Sequence, residues 1–381
     1  VRTTDRPVAV LLPDLRGGGA ERSLLRTAGE LAAIGVPVDV VVGLARGPLA
    51  AALPPGIDLF DLGAPRIRGA LLPLRRYLAA RRPTHLVPTL EHAVVVGAAA
   101  VRLAATDTRL VPRVANTLSS LAGTGGAVDR AGRAMALGVY RTAHTVVAVS
   151  QGVADDLAGA HGVPRARVRV VPNPVVGPEL HARAATPPPH DWFAPGEPPV
   201  VMGMGRLTAQ KNFTLLLEAF ADVVAHRPAR LVVLGEGEER AHLERLARRL
   251  GIADVVDLPG FVDDPFAYLG HAHVFVLSSN FEGLPGALVQ AVACGATPVA
   301  TDCPSGPREI LDGGRHGALV PPGDVVALRE AIVDALDRPQ ARLGPEVWGR
   351  WTTAASVNAW ADVLGRGDHA RRASSTTVGA R

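Results

Sequence analysis

The strongest constraint on this chain is a rhythm that runs through it twice: a short apolar run, a turn, then a stretch with helical periodicity. Val8-Ala9-Val10-Leu11-Leu12 is apolar at every position, as a parallel strand covered on both faces must be. Gly17-Gly18-Gly19 follow. From Ala20 to Ile34 the residues Leu24, Leu25, Ala28, Leu31 and Ala32 then recur at helical spacing. The pattern predicts strands at 38–42, 84–88, 109–114, 145–149 and 168–171, with helices at 70–82 and 91–105. Parallel strands need crossovers, and here helices supply them, so the first half reads as a doubly wound α/β domain.

The pattern lapses at Pro172-Asn173-Pro174 and again through Pro187-Pro188-Pro189. Residues 172–198 are therefore expected to be a linker between an N-terminal domain, 1–171, and a C-terminal domain, 199–344. In the second domain the expected strands are 199–204, 230–234, 254–258, 273–277 and 297–300. Helices are expected at 213–226, 238–250, 264–270, 285–294 and 324–337. A last helix, 345–364, is expected to pack back toward the N-terminal domain, and 365–381 reads as a disordered tail. A length of 381 residues agrees with two domains of roughly 150–200 residues each. Two such domains would face each other across a cleft at the C-terminal ends of their strands, where open α/β sheets bind ligands.

Composition excludes several classes. The formal net charge is only +4 and no dense basic run carries interleaved aromatics, so nucleic-acid binding is not expected. Two cysteines, Cys294 and Cys303, offer neither a disulfide framework nor a metal-ligand spacing. His271-Ala272-His273 has no third ligand nearby and reads as structural, and Asp263-Asp264 reads as a helix cap before Pro265. No metal or cofactor is expected. No signal peptide is evident and no apolar run reaches a bilayer span, so a cytoplasmic location, peripheral on the membrane at most, is expected.

The chain holds one lysine, Lys211, among 40 Lys and Arg residues. A compact ammonium serves a phosphate as a point charge where a planar guanidinium does not. Lys211 lies in Gly203-Met204-Gly205-Arg206-Leu207-Thr208-Ala209-Gln210-Lys211-Asn212, between a predicted strand and a helix that Asn212 can cap. Glycines, two cations and a helix N-terminus together describe an anion site, most simply for a diphosphate. The second cluster is Ser278-Ser279-Asn280-Phe281-Glu282-Gly283-Leu284-Pro285, again between strand and helix. The amides of Gly283 and Leu284 would favour an anion that Glu282 would oppose. A ligand with a polyhydroxylated end for Glu282 and an anionic end for the amides resolves that conflict.

The Gly-Arg-x-x-x-x-Lys loop, the Gly235-Glu236-Gly237 turn, Phe281-Glu282-Gly283-Leu284-Pro285, Ala293-Cys294-Gly295 and Asp302-Cys303-Pro304-Ser305-Gly306-Pro307-Arg308-Glu309-Ile310 resemble the retaining, family-4-type glycosyltransferases of the GT-B fold. The likeness runs almost continuously over 199–335 and more loosely over 7–175, including Val170-Val171-Pro172-Asn173-Pro174. It implies transfer of a hexosyl or N-acetylhexosaminyl group from a nucleoside-diphosphate sugar, UDP rather than GDP, to an acceptor hydroxyl. It further implies retention of anomeric configuration, no metal, and a saccharide or lipid-linked acceptor of the kind used for cell-envelope polysaccharide. Arg206 and Lys211 would then neutralise the leaving diphosphate, Glu282 would hold the donor sugar, and Gly205 would let the backbone approach. Gly260, Phe261 and Val262 would lie at the base, with Gly283 and Leu284 at the phosphates. Gly17, Gly18 and Gly19 would approach from the N-terminal domain.

Two positions depart from the pattern. Seven residues separate Glu282 from Gln290, where the family usually has a second glutamate for the ribose; Gln290 would bind as a neutral amide, or Glu309 would take its place. A histidine is expected beside the donor sugar, yet Arg113-Val114-Ala115-Asn116-Thr117 has none; His92 is the positional candidate, with a capping or core role as its alternative. These departures keep open a sugar-nucleotide epimerase of the same fold and a non-catalytic nucleotide-sugar-binding protein. Arg66, Arg68, Arg75, Arg76, Arg81 and Arg82, interspersed with leucines, and Arg130, Arg133 and Arg141 mark two basic amphipathic stretches. Each reads either as a solvated helix face or as a contact with anionic membrane.

Overall fold

In the computed structural model, residues 6–51, 53–122 and 126–371 are described. The chain divides into two compact units. The first takes the chain up to Pro174 and again from Thr353 onward, and the second takes Val175–Thr352.

The first unit is built on strands β1 (Val8–Asp14), β2 (Val38–Leu44), β3 (Ile57–Asp61), β4 (His85–Pro88) and β5 (Arg109–Leu110). These form one parallel sheet in the order β3-β2-β1-β4-β5. Helix α1 (Gly19–Ala33) covers one face, and α2 (Leu71–Arg81) with α3 (Glu91–Ala104) covers the other. Strand alternation decides the division. Val8, Val10 and Leu12 pack with Leu24, Ala28 and Leu31 of α1, while Ala9 and Leu11 pack with Leu74, Leu78 and Val96. A second, three-stranded parallel sheet follows: β6 (Arg113–Val114), β7 (Val146–Ala148) and β8 (Val168–Val170). Helices α4 (Ala127–Thr142) and α5 (Gln151–Asp155) lie in its connections, and Ser150 caps α5.

In the second unit the short helix α6 (Leu180–Ala184) leads into β9 (Val200–Met204), α7 (Phe213–Val224), β10 (Arg230–Leu234) and α8 (Arg240–Arg249). Next come β11 (Val256–Gly260), α9 (Pro265–His271), β12 (Val274–Leu277), α10 (Gly286–Cys294) and β13 (Thr297–Thr301). Helix α11 (Pro307–Ile310), β14 (Ala318–Val320), α12 (Val325–Asp337) and α13 (Pro345–Trp348) complete it. Its sheet is parallel, in the order β11-β10-β9-β12-β13-β14. Val201, Leu231, Val233, Val274, Val276 and Val299 project to one face, where α7, α8 and α12 close over them. Helix α7 is buried at seven positions, from Phe213 to Val223, so it is central to that layer.

The structure corrects the expected segmentation in three places. Residues 175–198 are not a free linker. Leu180 and Ala184 of α6 are buried against the second unit, and His190 contacts Asp257 at 2.9 Å. The single helix expected over 345–364 is broken, because the chain turns at Gly349–Trp351 before α14 (Thr353–Val363) begins. Helix α14 belongs to the first unit, where Val357, Trp360 and Leu364 join the core on the α1 face. The expected tail starts too early as well: Arg366 is buried and donates to the Arg6 carbonyl at 2.7 Å. The rest of that expectation, 372–381, lies outside the described residues. Strand β3 gave no sequence signal because it is an edge strand with largely exposed side chains.

Candidate active site

Each of the two larger parallel sheets reverses its winding direction at one place, and ligand crevices form at such points. In the second unit the reversal falls between β9 and β12, which are neighbours. The loop after β9 carries Gly205, Arg206 and Lys211, and the loop after β12 carries Ser278 to Pro285. The two predicted clusters are thus brought together by topology.

Hydrogen bonds stitch them closely. Lys211 Nζ donates to Glu282 Oε1 at 2.5 Å, and Ser279 Oγ donates to the same oxygen at 2.7 Å. The Glu282 side chain is 6% exposed and that of Lys211 is 18% exposed. Ser278 Oγ donates to the Lys211 carbonyl, Gln210 Nε2 to the Phe281 carbonyl, and Asn280 Nδ2 to the Ala209 carbonyl. Thr301 at the end of β13 donates to the Ser279 carbonyl at 2.6 Å, and Ser305 Oγ donates to the Gly283 carbonyl at 2.8 Å. Asn212 takes a left-handed backbone at φ 46° and accepts from Leu215 N, so it both turns the chain and caps α7. The loops are held from several sides, which is what pre-organises a binding site.

Arg206 stands apart. It is exposed and makes no ion pair or side-chain hydrogen bond among the described residues. Its loop is pinned from below: Leu207 N donates to the Glu236 carbonyl, and Glu239 N donates back to the Leu207 carbonyl. The Gly235-Glu236-Gly237 turn permits this contact. A Cβ on Gly235 would lie 1.9 Å from the Gly205 carbonyl oxygen, and one on Gly237 would lie 2.2 Å from that of Leu207. Glu236 is clasped by Arg240 at 2.6 Å, which lowers its pKa, and the pair stands beside Gly260. Phe261 projects into solvent at 63% exposure, with Val262 next to it.

Other predicted residues are placed differently. Gly283 and Leu284 are buried, and Pro285 rather than an earlier residue forms the N-cap of α10. Gln290 is half-buried on α10 and makes no hydrogen bond among the described residues. Glu309 is drawn toward Arg350, which donates to its carbonyl at 2.7 Å and stands 4.0 Å from its carboxylate. Cys303 is buried beside Glu282, and burial first, then that carboxylate's charge, push its thiol up to about 12. His271 Nδ1 contacts the Ala267 carbonyl at 2.9 Å, while Val200 N donates to His273 Nδ1 at 3.1 Å. Among the described residues no group of three or more His, Cys, Asp or Glu could hold a metal ion.

In the first unit the winding reverses between β1 and β4. Gly17, Gly18 and Gly19 follow β1, with Gly17 at φ 101° and Gly18 as the N-cap of α1. A Cβ on Gly19 would meet open space, whereas one on Gly18 would strike the Glu21 carboxylate. His92 follows β4 on the first turn of α3, and its Nε2 lies 3.4 Å from Asp129 Oδ1 of α4. The Asp129 pKa is lowered, first by the Gly126 N–H and then by His92.

Sequence reasoning missed Arg113. It is buried, yet its guanidinium donates only to neutral groups: Thr89 at the end of β4, Ser23 of α1 and Asn173. Burial pulls its pKa down to about 10. An arginine in a predicted apolar strand was the available signal, because such a residue must face a polar cluster.

Two parallel-sheet units with motif loops at their winding reversals define the GT-B architecture. Residues 17–176 match Glycosyltransferase Family 4 and residues 198–338 match Glycosyl transferases group 1, and the chain belongs to this family of glycosyltransferases. It is 39% identical over 139 residues to the lipopolysaccharide core biosynthesis glycosyltransferase LpsE of Rhizobium meliloti, covering 36% of this chain and 39% of that protein. It is 35% identical over 120 residues to a diphospho-undecaprenol-saccharide 4-alpha-N-acetylgalactosaminyltransferase of Campylobacter jejuni, covering 32% of each. The alignments thus span about a third of these curated relatives. Among solved structures, HepE of Anabaena in complex with UDP-glucose superposes with a TM-score of 0.73 at 20% identity, over 97% of this chain and 99% of that one. The lipopolysaccharide outer core galactosyltransferase WaaB superposes at 0.72 with 18% identity, over 94% and 99%.

Proposed function

We propose that this protein transfers a sugar from a nucleoside-diphosphate sugar to an acceptor hydroxyl with retention of anomeric configuration. The observation that carries the reading is the Lys211–Glu282–Ser279 cluster at the β9/β12 reversal, with exposed Arg206 in the same loop as Lys211. The cluster offers one carboxylate to sugar hydroxyls and two cations to a diphosphate. Negative charge grows on the leaving diphosphate as the glycosidic bond breaks, and fixed cations there stabilise the transition state more than the ground state. The bond from the anomeric carbon to phosphate oxygen breaks, a bond to the acceptor oxygen forms on the same face, and the acceptor proton passes to the departing phosphate. Arg206, Lys211 and the loop amides carry the charge in this reading, so chelators leave turnover intact.

UDP is the favoured carrier, since the neighbour HepE has been solved with UDP-glucose. The acceptor class is a saccharide, lipid-linked or envelope-bound, in keeping with the names of the relatives from Rhizobium and Campylobacter. The test is incubation with UDP-sugars, with and without lipid-linked saccharide extracts, followed by NMR of the product anomer. Acceptor-dependent release of UDP with retained configuration supports the reading. Conversion of the sugar nucleotide without acceptor makes the protein an epimerase, and donor binding without turnover in any extract makes it a binding protein.

A further inference from the structure

We propose that Arg113 is a positioning residue for sugar transfer: it fixes the two turns that flank the winding reversal of the first unit, in the arrangement that receives the acceptor. The inference rests on the transferase reading. In that reading the second unit's crevice, with its paired Lys211 and Glu282, suits the donor, which leaves the first unit's crevice between β1 and β4 for the acceptor. From that reversal the chain departs by α1, which follows β1, and by α3, which follows β4.

One guanidinium reaches both. Arg113 begins β6, and an isolated parallel bridge pairs it with Thr89, the residue just past β4. Its Nη1 donates to Thr89 Oγ1 at 3.1 Å, and its Nη2 donates to Ser23 Oγ of α1 at 3.3 Å and to Asn173 Oδ1 at 2.7 Å. Asn173 lies between Pro172 and Pro174, which restrict its backbone, and Ser356 Oγ holds the Pro172 carbonyl at 2.7 Å. The arginine is therefore tied to a rigid post. Thr89 is followed by Leu90 at φ 69° and ψ 141°, a positive-φ backbone that leucine avoids, and α3 starts from it. Such a residue persists only where its neighbours over-determine the turn, and strain of this kind clusters at functional sites. On the other side, Ser23 lies on α1 just beyond Gly17-Gly18-Gly19.

Charge separates this role from packing. Arg113 is 2% exposed and makes no ion pair among the described residues; Glu21 is the carboxylate that acts on it, without pairing. Burying an unpaired charge costs free energy that a neutral side chain of like size avoids, so packing alone does not account for an arginine here. What the guanidinium supplies is a rigid fork of charge-assisted hydrogen bonds, which sets the spacing of Ser23, Thr89 and Asn173.

The test compares the full-length wild type with Arg113→Met, which is uncharged, and Arg113→Lys, which keeps the charge but not the fork. Arg113→Met should melt at or above the wild-type temperature and bind UDP with unchanged affinity. At saturating UDP-sugar its kcat/KM for acceptor should fall at least about ten-fold, because small misplacements of reacting groups are costly. Hydrogen exchange should rise in the peptides holding Gly19–Ser23 and Thr89–His92 and stay unchanged in the second unit. Arg113→Lys should recover part of the lost rate. A melt well below wild type, with activity lost only in step with folded protein and acceptor KM unchanged, would make Arg113 structural and overturn the inference. Unchanged exchange in both turns overturns it as well. Absence of acceptor-dependent transfer by the wild type would instead sink the transferase reading. The exchange measurement needs no acceptor, so it still decides whether Arg113 fixes the two turns.

Discussion

Lys211 and Glu282, 71 residues apart in sequence, share a 2.5 Å ion pair that also receives the Ser279 hydroxyl. Removing either partner leaves the other charge in a poorly hydrated site. Lys211→Met should destabilise the protein by about 2–4 kcal/mol, somewhat under a fully sealed pair because the ammonium keeps partial exposure. Glu282→Gln on that background should restore about 0.5–3 kcal/mol, the range of coupling between contacting residues. Chemical denaturation of the four proteins of this cycle gives the coupling directly. Sugar transfer should stay lost in the double variant, since stability is regained without the cation.

Among the described glycines, Gly235 has the closest backbone atom to a built Cβ. It sits at φ 136°, and a Cβ would lie 1.9 Å from the Gly205 carbonyl oxygen. Gly235→Ala should displace the Arg206 loop and weaken UDP-sugar binding by at least about ten-fold, a loss of roughly 1.4 kcal/mol. Gly138→Ala, where a Cβ meets open space on α4 away from both motif loops, is the matched control. Isothermal titration with UDP on both variants compares the two.

Gln290 makes no hydrogen bond among the described residues, and Glu309 is oriented toward Arg350. The position to which the family resemblance gives a ribose-binding carboxylate thus holds a neutral amide. Gln290→Glu should strengthen donor binding by about 1 kcal/mol, the advantage of a charged over a neutral acceptor. The KM for donor should fall while kcat holds.

His85 gives a pH signature. Burial, reinforced by Arg109 and Arg366, holds its pKa down to about 4 against an ordinary 6.5. Between those values the unfolded chain binds the additional proton, so stability rises with pH. The contribution is fully present above pH 6.5 and is lost as the pH falls toward 4, an upper bound of about 3 kcal/mol. His85→Gln should flatten that part of the curve in urea melts taken across the range.

The strands that could be read in the sequence were those covered on both faces, such as Val8–Leu12 and Val200–Met204, because uniform burial demands uniform apolarity. Strand β3 and helix α4 were missed or reduced to charge patterns, since much of their surface meets solvent. The Lys211 and Glu282 motifs were visible because glycine, charge and helix start coincide within a few residues. Their direct pairing was not, since it depends on β9 lying beside β12. Arg113 was hidden for a related reason. Its partners Ser23, Thr89 and Asn173 come from three distant segments that only the folded sheet assembles.

The return of Thr353 to the first unit bears on how the chain acquires its structure during synthesis. Val357, Trp360 and Leu364 are part of the core that covers Val8, Val10 and Leu12. Until α14 leaves the ribosome, β1 has an unfinished apolar wall. The second unit, whose segments are contiguous, is free to close first. Nascent chains halted before Thr353 should therefore show a protease-resistant second unit beside a first unit still open to cleavage.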